Sequence, residues 1–437
     1  MSTLRADVAI IGAGIGGMCA GALLSRAGRK VLVLEKSPLP GGRYTSVQYK
    51  GFTIPTASWM LLYGTSDPVY LTLEEIGAPP IEMRAPGTPV ARYRINGRIY
   101  DWPPKGALRY LMEKAAGDPE EANRVMGALA QAMAHPPTES ISFRDWLLRS
   151  TRNEAIHGIF QAQIATWCGM NAHDLPAREF IRALLSFRGR DTFRIPRNGL
   201  KDIIDALGAA VRAGGGEILT RTKATGIMVE KGIARGVTAL RGSEAITIEA
   251  RMVVSNIGPK KTVELAGREH FGEAYLRQAA EMRPAVGMDY LFITDRPLLD
   301  FPGTLYTTDT IRKEGWSVPT LMWPEHAPAG KHLLHAFAVP ENIDSYDPVR
   351  EYRILLQDLH TVFPDFEGAG GKLLLRRNFC GEWPCTRARQ GQDMSHRTPI
   401  ENLYNVGDGV KPPGWIVGAG AAQSGRIVAK EIIEALG

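Results

Sequence analysis

Asp7-Val8-Ala9-Ile10-Ile11-Gly12-Ala13-Gly14-Ile15-Gly16-Gly17 is the stretch on which the fold turns. Its apolar run, Val8 to Ile11, has the character of a central parallel strand, buried on both faces. The glycines follow at once, and Met18 to Ala27 then reads as a helix rich in small residues, ending near Gly28. A second apolar run, Lys30 to Leu34, terminates in Glu35. Strand, glycine turn, helix, strand and acid thus follow one another within about thirty residues, the order of a dinucleotide-binding unit. Gly12 permits the tight turn, Gly14 lets backbone approach a pyrophosphate, and Gly17 lets the helix pack on the strand. The helix N-terminus offers free N–H groups to the phosphates. Glu35 is placed to accept the ribose hydroxyls, and its charge would repel a 2′-phosphate. The unit binds a dinucleotide, and NADP is the wrong one.

Working outward, the chain continues Lys36-Ser37-Pro38-Leu39-Pro40-Gly41-Gly42-Arg43. Near the other end, Asn402 to Gly409 reads as a strand ending in Gly407-Asp408, followed by Pro412-Pro413-Gly414-Trp415-Ile416-Val417-Gly418-Ala419-Gly420 and a helix from about Ala421 to Leu436. Between them, Pro196 to Leu200 leads into a helix over Lys201–Ala213. Strands then follow at Glu217–Leu219, Ala224–Val229, Ala234–Leu240 and Ala250–Ser255, the last running into Asn256. This series resembles the flavin-containing amine oxidase and phytoene desaturase superfamily, over residues 1–65, 195–265 and 390–437.

The resemblance implies an α/β fold, with a discontinuous Rossmann-type FAD-binding domain (1–65, 195–265, 390–437) and an inserted α+β substrate-binding domain (66–194, 266–389). It implies FAD as cofactor, with Arg43 on the pyrophosphate, the Ala224 backbone near the adenine, Asp408 on the ribityl chain and the Gly418 backbone at the pyrimidine edge. The expected cofactor set is therefore Gly12, Gly14, Ile15, Gly16, Gly17, Glu35, Lys36, Gly41, Gly42, Arg43, Ala224, Gly407, Asp408, Val417 and Gly418. A helix N-terminus at flavin N1 would stabilise the negative charge gained on reduction. Relatives of the desaturase group carry an Asp-x-Gly element shortly after GGR, where this chain has Phe52-Thr53-Ile54-Pro55, so no catalytic acid is carried over.

In the inserted region the sequence predicts helices at Gly106–Ala116 and Glu120–Met133, short strands within Ala91–Tyr100, strands at Met288–Thr294 and Leu333–Val339, and a helix over Pro348–Val362. Trp59, Tyr63, Trp383 and Trp415 are candidates to line a pocket beside the flavin, with core packing the bland alternative for all but Trp415. Arg188, Arg190, Arg194 and Arg197 form a basic cluster, read as a solvated face or, alternatively, as an anionic headgroup site.

With 44% hydrophobic and 22% charged residues and a net charge of +6, the chain has a globular composition without a nucleic-acid signature. Nine histidines show no metal spacing, and the four cysteines (Cys19, Cys168, Cys380, Cys385) show no zinc pattern; ordinary thiols are favoured over a Cys380–Cys385 pair. Val8 to Leu24 is too glycine-rich for a signal peptide or membrane span, so the expected location is cytoplasmic, with peripheral contact at the inner membrane face as a variant. No second GxGxxG offers a nicotinamide site. The expectation is an oxidoreductase that desaturates or dehydrogenates a lipophilic, isoprenoid- or polyene-like substrate and passes electrons to oxygen, a quinone or a carrier. Amine-oxidase-like C–N oxidation, flavin-dependent isomerisation or saturation, and a flavin-binding scaffold are the alternatives.

Overall fold

The computed structural model describes residues 2–381 and 389–437 and is built on two seven-stranded sheets. In the first, strands run in the order Glu217–Leu219, Val31–Leu34, Ser2–Ile11, Glu244–Ser255, all parallel. The long strand Glu244–Ser255 serves two neighbours in turn. Its first half pairs antiparallel with Ile233–Arg241, which continues to Thr222–Glu230, and its last three residues pair parallel with Leu403–Asn405. A strand from the far end of the chain thereby enters beside the motif from the beginning.

Both faces of this sheet are covered, which explains the unbroken apolar run. Val8 and Ile10 pack toward helices, while Ala9 and Ile11 belong to the core of the opposite face. The first helix, Ile15–Arg26, lies against helices Lys201–Ala213 and Val417–Leu436 and is buried from Ile15 to Ser25. Its small residues are the condition for that fit: a Cβ on Gly425 would stand 2.2 Å from the Gly16 carbonyl oxygen.

The second sheet runs Lys372–Phe379, Gly287–Thr294, His332–Ala338, Glu314–Ser317, Thr304–Thr307, Ala91–Ile95, Arg98–Asp101, antiparallel except where Thr304–Thr307 meets Ala91–Ile95. Every strand of the first sheet falls within 1–65, 195–265 or 390–437, and every strand of the second within 66–194 or 266–389. One face of the second sheet carries Met288, Tyr290, Phe292 and Leu334 against helix Pro348–Val362. The alternate residues turn the other way, toward Phe52–Trp59 and helix Glu154–Cys168. Helices Ala107–Ala116, Pro119–Ala134, Phe143–Leu148, Glu154–Cys168 and Ala177–Ser186 share a further core that reaches Ile416 and Ala419, beside the closing turn.

The predicted elements are present, with ends shifted by a few residues. The largest shifts are at two strand starts, Ser2 rather than Val8 and Glu244 rather than Ala250; the closing helix begins at Val417 rather than Ala421. Gly418 and Gly420 read as loop in the sequence but lie inside the first turn, because close neighbours demand them. A Cβ on Gly418 would meet the Tyr44 ring at 2.7 Å, and one on Gly420 the Lys411 side chain at 2.9 Å.

Candidate active site

The glycine turn is organised by a residue its motif does not mention. Gly12 turns the chain at φ +93°, and its carbonyl accepts a hydrogen bond from Asn256 Nδ2 at 3.1 Å. The Asn256 side chain then occupies the space four Cβ atoms would need: it would lie 2.7 Å from one on Gly14, 3.0 Å from one on Gly16, 3.2 Å from one on Gly17 and 2.3 Å from one on Gly407. The glycines of both sequence ends are thus fitted around one amide. Its only signal in the sequence is its position at the end of the strand that finishes in Ser255.

Glu35 is buried and already holds backbone. Its carboxylate accepts from Ala13 N at 3.0 Å and from Ser37 N at 2.8 Å. Each oxygen keeps lone-pair capacity for a further donor. The Glu35 carbonyl accepts from Thr222 N, which brings the strand carrying Ala224 alongside, and Lys36 is exposed at the rim. Gly41 donates its N–H to the Ala13 carbonyl, setting Gly42 against Gly14.

Arg43 and Asp408, from opposite ends of the chain, form an ion pair at 2.8 Å. Asp408 also meets the fully buried Lys411 at 2.6 Å, and Lys411 meets Asp393 at 2.9 Å. Burial works against the Lys411 charge, but the two carboxylates outweigh it and hold the ammonium above its ordinary range. Burial pushes the Asp393 carboxyl up, against the pull of Lys411. The motif marks Asp408; Lys411 and Asp393 complete the network and escaped the sequence reading.

The closing helix starts under strain. Val417 adopts φ +41°, a left-handed conformation costly for a β-branched residue. The N–H groups of Val417, Gly418 and Ala419 find no acceptor among the described residues, nor do those of Gly16 and Gly17. Two helix N-termini therefore bring unpaired donors to one region, since a Cβ on Gly16 would lie 2.8 Å from Ala421 O and 2.9 Å from Gly407 N. One terminus suits a diphosphate and the other an electron-rich ring edge.

The aromatic candidates divide. Tyr63 and Trp415 meet edge to face at 5.5 Å, with the Tyr63 hydroxyl bonded to Ser186 Oγ at 2.9 Å. Trp59 is elsewhere, its ring 5.0 Å from that of His335. Trp383 and Cys385 lie outside the described residues. The basic cluster divides. Arg188 and Arg197 are exposed, as a solvated face requires, with Arg197 pairing to Glu82 and Glu325; Arg194 pairs with Asp191 at 2.9 Å, and Arg190 lies over aromatic rings.

A second polar centre has no counterpart in the motifs. Asp289 is fully buried on the second sheet, with His335 Nε2 2.7 Å from Oδ1 and the Arg377 guanidinium on Oδ2. Arg377 also donates to the Pro55 carbonyl, tying this centre to the segment that replaces Asp-x-Gly. Burial alone would raise the Asp289 carboxyl; Arg377 and His335 outweigh it and hold the carboxyl below its ordinary range.

Parallel central strands with a glycine turn after the first and an acid at the end of the second define a dinucleotide-binding fold. The model of the flavin-containing amine oxidoreductases matches residues 15–433, and the chain belongs to that family. An oxidoreductase of known structure from Methanosarcina mazei superposes with a TM-score of 0.86 at 28% identity, covering 98% of this chain and all of its own. An uncharacterized protein of Methanocaldococcus jannaschii is 26% identical over 95% of this chain and 96% of its own length. A 4,4′-diapophytoene desaturase of Methylomonas is 24% identical over 54% of this chain and about half (51%) of the desaturase. The cofactor is FAD, and the protein is a flavin-dependent oxidoreductase. No helix among the described residues is long and apolar enough to cross a membrane.

Proposed function

We propose that the protein dehydrogenates or desaturates a lipophilic substrate of isoprenoid or polyene character. The observation that carries this reading is the wall beside the closing turn. Trp415, Phe187 and Trp167 are part-exposed around the buried Tyr63, and the four rings form one aromatic cluster with centroids 4.5 to 5.5 Å apart. Such a surface suits an extended apolar or conjugated body. The likeness to a desaturase adds support.

In this reading 1–65, 195–265 and 390–437 bind the flavin, and 66–194 with 266–389 enclose the substrate. The N–H groups at Gly14–Gly17, with Arg43, hold the diphosphate; Glu35 and Lys36 hold the ribose end; the backbone at Ala224 meets the adenine. Asp408, paired with Arg43 and Lys411, accepts from the ribityl hydroxyls, with Gly407 leaving room for the approach. Val417 and Gly418 present backbone donors to the pyrimidine edge. Bound FAD supplies a hydride acceptor at N5, so the substrate gives up a hydride and a proton and gains a double bond. The aromatic wall orients the substrate and excludes water.

Anaerobic addition of acyclic polyenes to the purified, FAD-loaded protein should bleach the flavin band and yield a more conjugated product. Product without bleaching would show isomerisation instead. Bleaching by primary amines alone would replace this reading with C–N oxidation.

A further inference from the structure

Among the four arginines of the 188–197 segment, Arg190 stands apart. Its guanidinium carbon lies 4.1 Å from the Trp415 ring centroid and 4.9 Å from that of Tyr63. The side chain is half-buried, and the one hydrogen bond it makes is a long one, 3.5 Å, to the Ser66 carbonyl. No carboxylate among the described residues lies within ion-pair distance of it. The acid that senses it electrostatically, Asp67, is fully buried and spends its oxygens capping helix Pro68–Glu75 and accepting from Tyr63 N. A guanidinium has five N–H donors and is costly to desolvate without partners. The ring faces offset part of that cost and fix the guanidinium plane, but they leave its N–H edges open. That planar fork is the shape that recognises a carboxylate or phosphate.

The position gives the ligand its other end. Trp415 stands two residues before the strained Val417, and Tyr63 continues into Phe187, 4.8 Å away, and Trp167. Tyr63 itself is buried, so an oxyanion on Arg190 would lay its attached chain along the part-exposed Trp415, Phe187 and Trp167. We propose that Arg190 binds the oxyanion end of the substrate, so that the substrate is an amphiphile: a polyene or isoprenoid body with a carboxylate or phosphate at one terminus. This rests on the reading above, in which the aromatic wall borders the flavin.

The test uses FAD-loaded protein titrated with decanoate, decyl phosphate and decanol, following tryptophan fluorescence and the visible flavin spectrum. Both anions should perturb the spectra and bind about tenfold or more tightly than decanol. The tighter anion identifies the oxyanion. Arg190→Met should remove that advantage while leaving decanol binding unchanged, and Arg190→Lys should keep part of it as a point charge. Equal binding of decanol and decanoate to the wild type, or full anion affinity in Arg190→Met, would overturn the proposal. So would Arg190→Met losing affinity for anionic vesicles while free decanoate leaves the wild-type spectra unmoved, because the guanidinium would then face a lipid surface. The two readings fail separately. Fluorescence reports anion capture even if no polyene bleaches the flavin. Bleaching by a polyene carboxylate at the same rate in Arg190→Met and wild type would uphold the flavin chemistry and sink the oxyanion site.

Discussion

In the first sheet the unpaired polar groups are chiefly backbone: N–H donors at Gly16–Gly17 and Val417–Ala419, brought together because glycines let chains touch. In the second sheet the polar content is side chain, with Asp289, His335 and Arg377 gathered where no backbone device exists. The difference is one of tolerance. A backbone site fails when anything is added to it, and a buried charge cluster fails when anything is taken away.

The largest effect is expected from Gly425→Val. Its Cβ would stand 2.2 Å from Gly16 O, where only backbone could yield. Overpacking of this kind costs about 3 kcal/mol or more. Little folded protein should be recovered, with an FAD:protein ratio far below one; near-stoichiometric FAD would refute the close crossing. In the second sheet, Asp289→Asn leaves Arg377 buried without its counter-charge, at a cost of about 3 kcal/mol. Thermal unfolding should show the loss, while the FAD dissociation constant stays near wild type. A large change in FAD affinity would mean that the two sheets are not separate devices.

Asp67 tests the border between them. Burial pushes its carboxyl up to about 6, with the Val69 and Tyr63 N–H groups pulling the other way. Because the folded pKa is raised, the folded state holds this proton more tightly. Its contribution is fully present below the unfolded value of 3.8 and disappears as pH rises through about 6. Asp67→Asn keeps a capping oxygen and should remove that slope, a difference of at most about 3 kcal/mol between pH 4 and 7. Stability profiles of equal slope in the two proteins would count against a neutral Asp67. The smallest effect belongs to Glu35→Gln, which puts a neutral amide where a carboxylate holds Ala13 and Ser37. FAD affinity should fall by about 1–2 kcal/mol, read as a dissociation constant raised roughly five- to thirtyfold. No change would mean the ribose is held elsewhere.

The same division decides what the sequence reveals. The Gly12–Gly17 turn, Glu35, Gly41–Arg43 and Gly407–Asp408 are legible because each sits at fixed spacing from a strand end. Asn256 is hidden: one amide after a strand is ordinary until four glycines are seen packed around it. Lys411 and Asp393 are hidden for a related reason, since an ammonium three residues after Asp408 reads as a solvated loop lysine until it proves fully buried. Asp289, His335 and Arg377 are beyond local reading altogether. They are far apart in the chain, and only the register of three antiparallel strands makes them neighbours. The start of the closing helix was misplaced because Gly418 and Gly420 look like loop residues unless Tyr44 and Lys411 are in view.

The closing helix Val417–Leu436 packs against Ile15–Arg26, about 400 residues away, and the strand Leu403–Asn405 pairs with Glu244–Ser255, 150 residues away. Contacts of that span require a large loop to close before they return any stabilisation, and they slow folding. During synthesis the first helix must wait, its buried face uncovered, until the last segment is available. The glycine turn can therefore form early as local structure, but the part of the cradle built by residues 403–436 cannot exist until the chain is nearly complete. Flavin supplied during refolding should accordingly speed only the final docking of residues 403–436, and a chain cut before that segment should be exposed to proteases and aggregation rather than merely inactive.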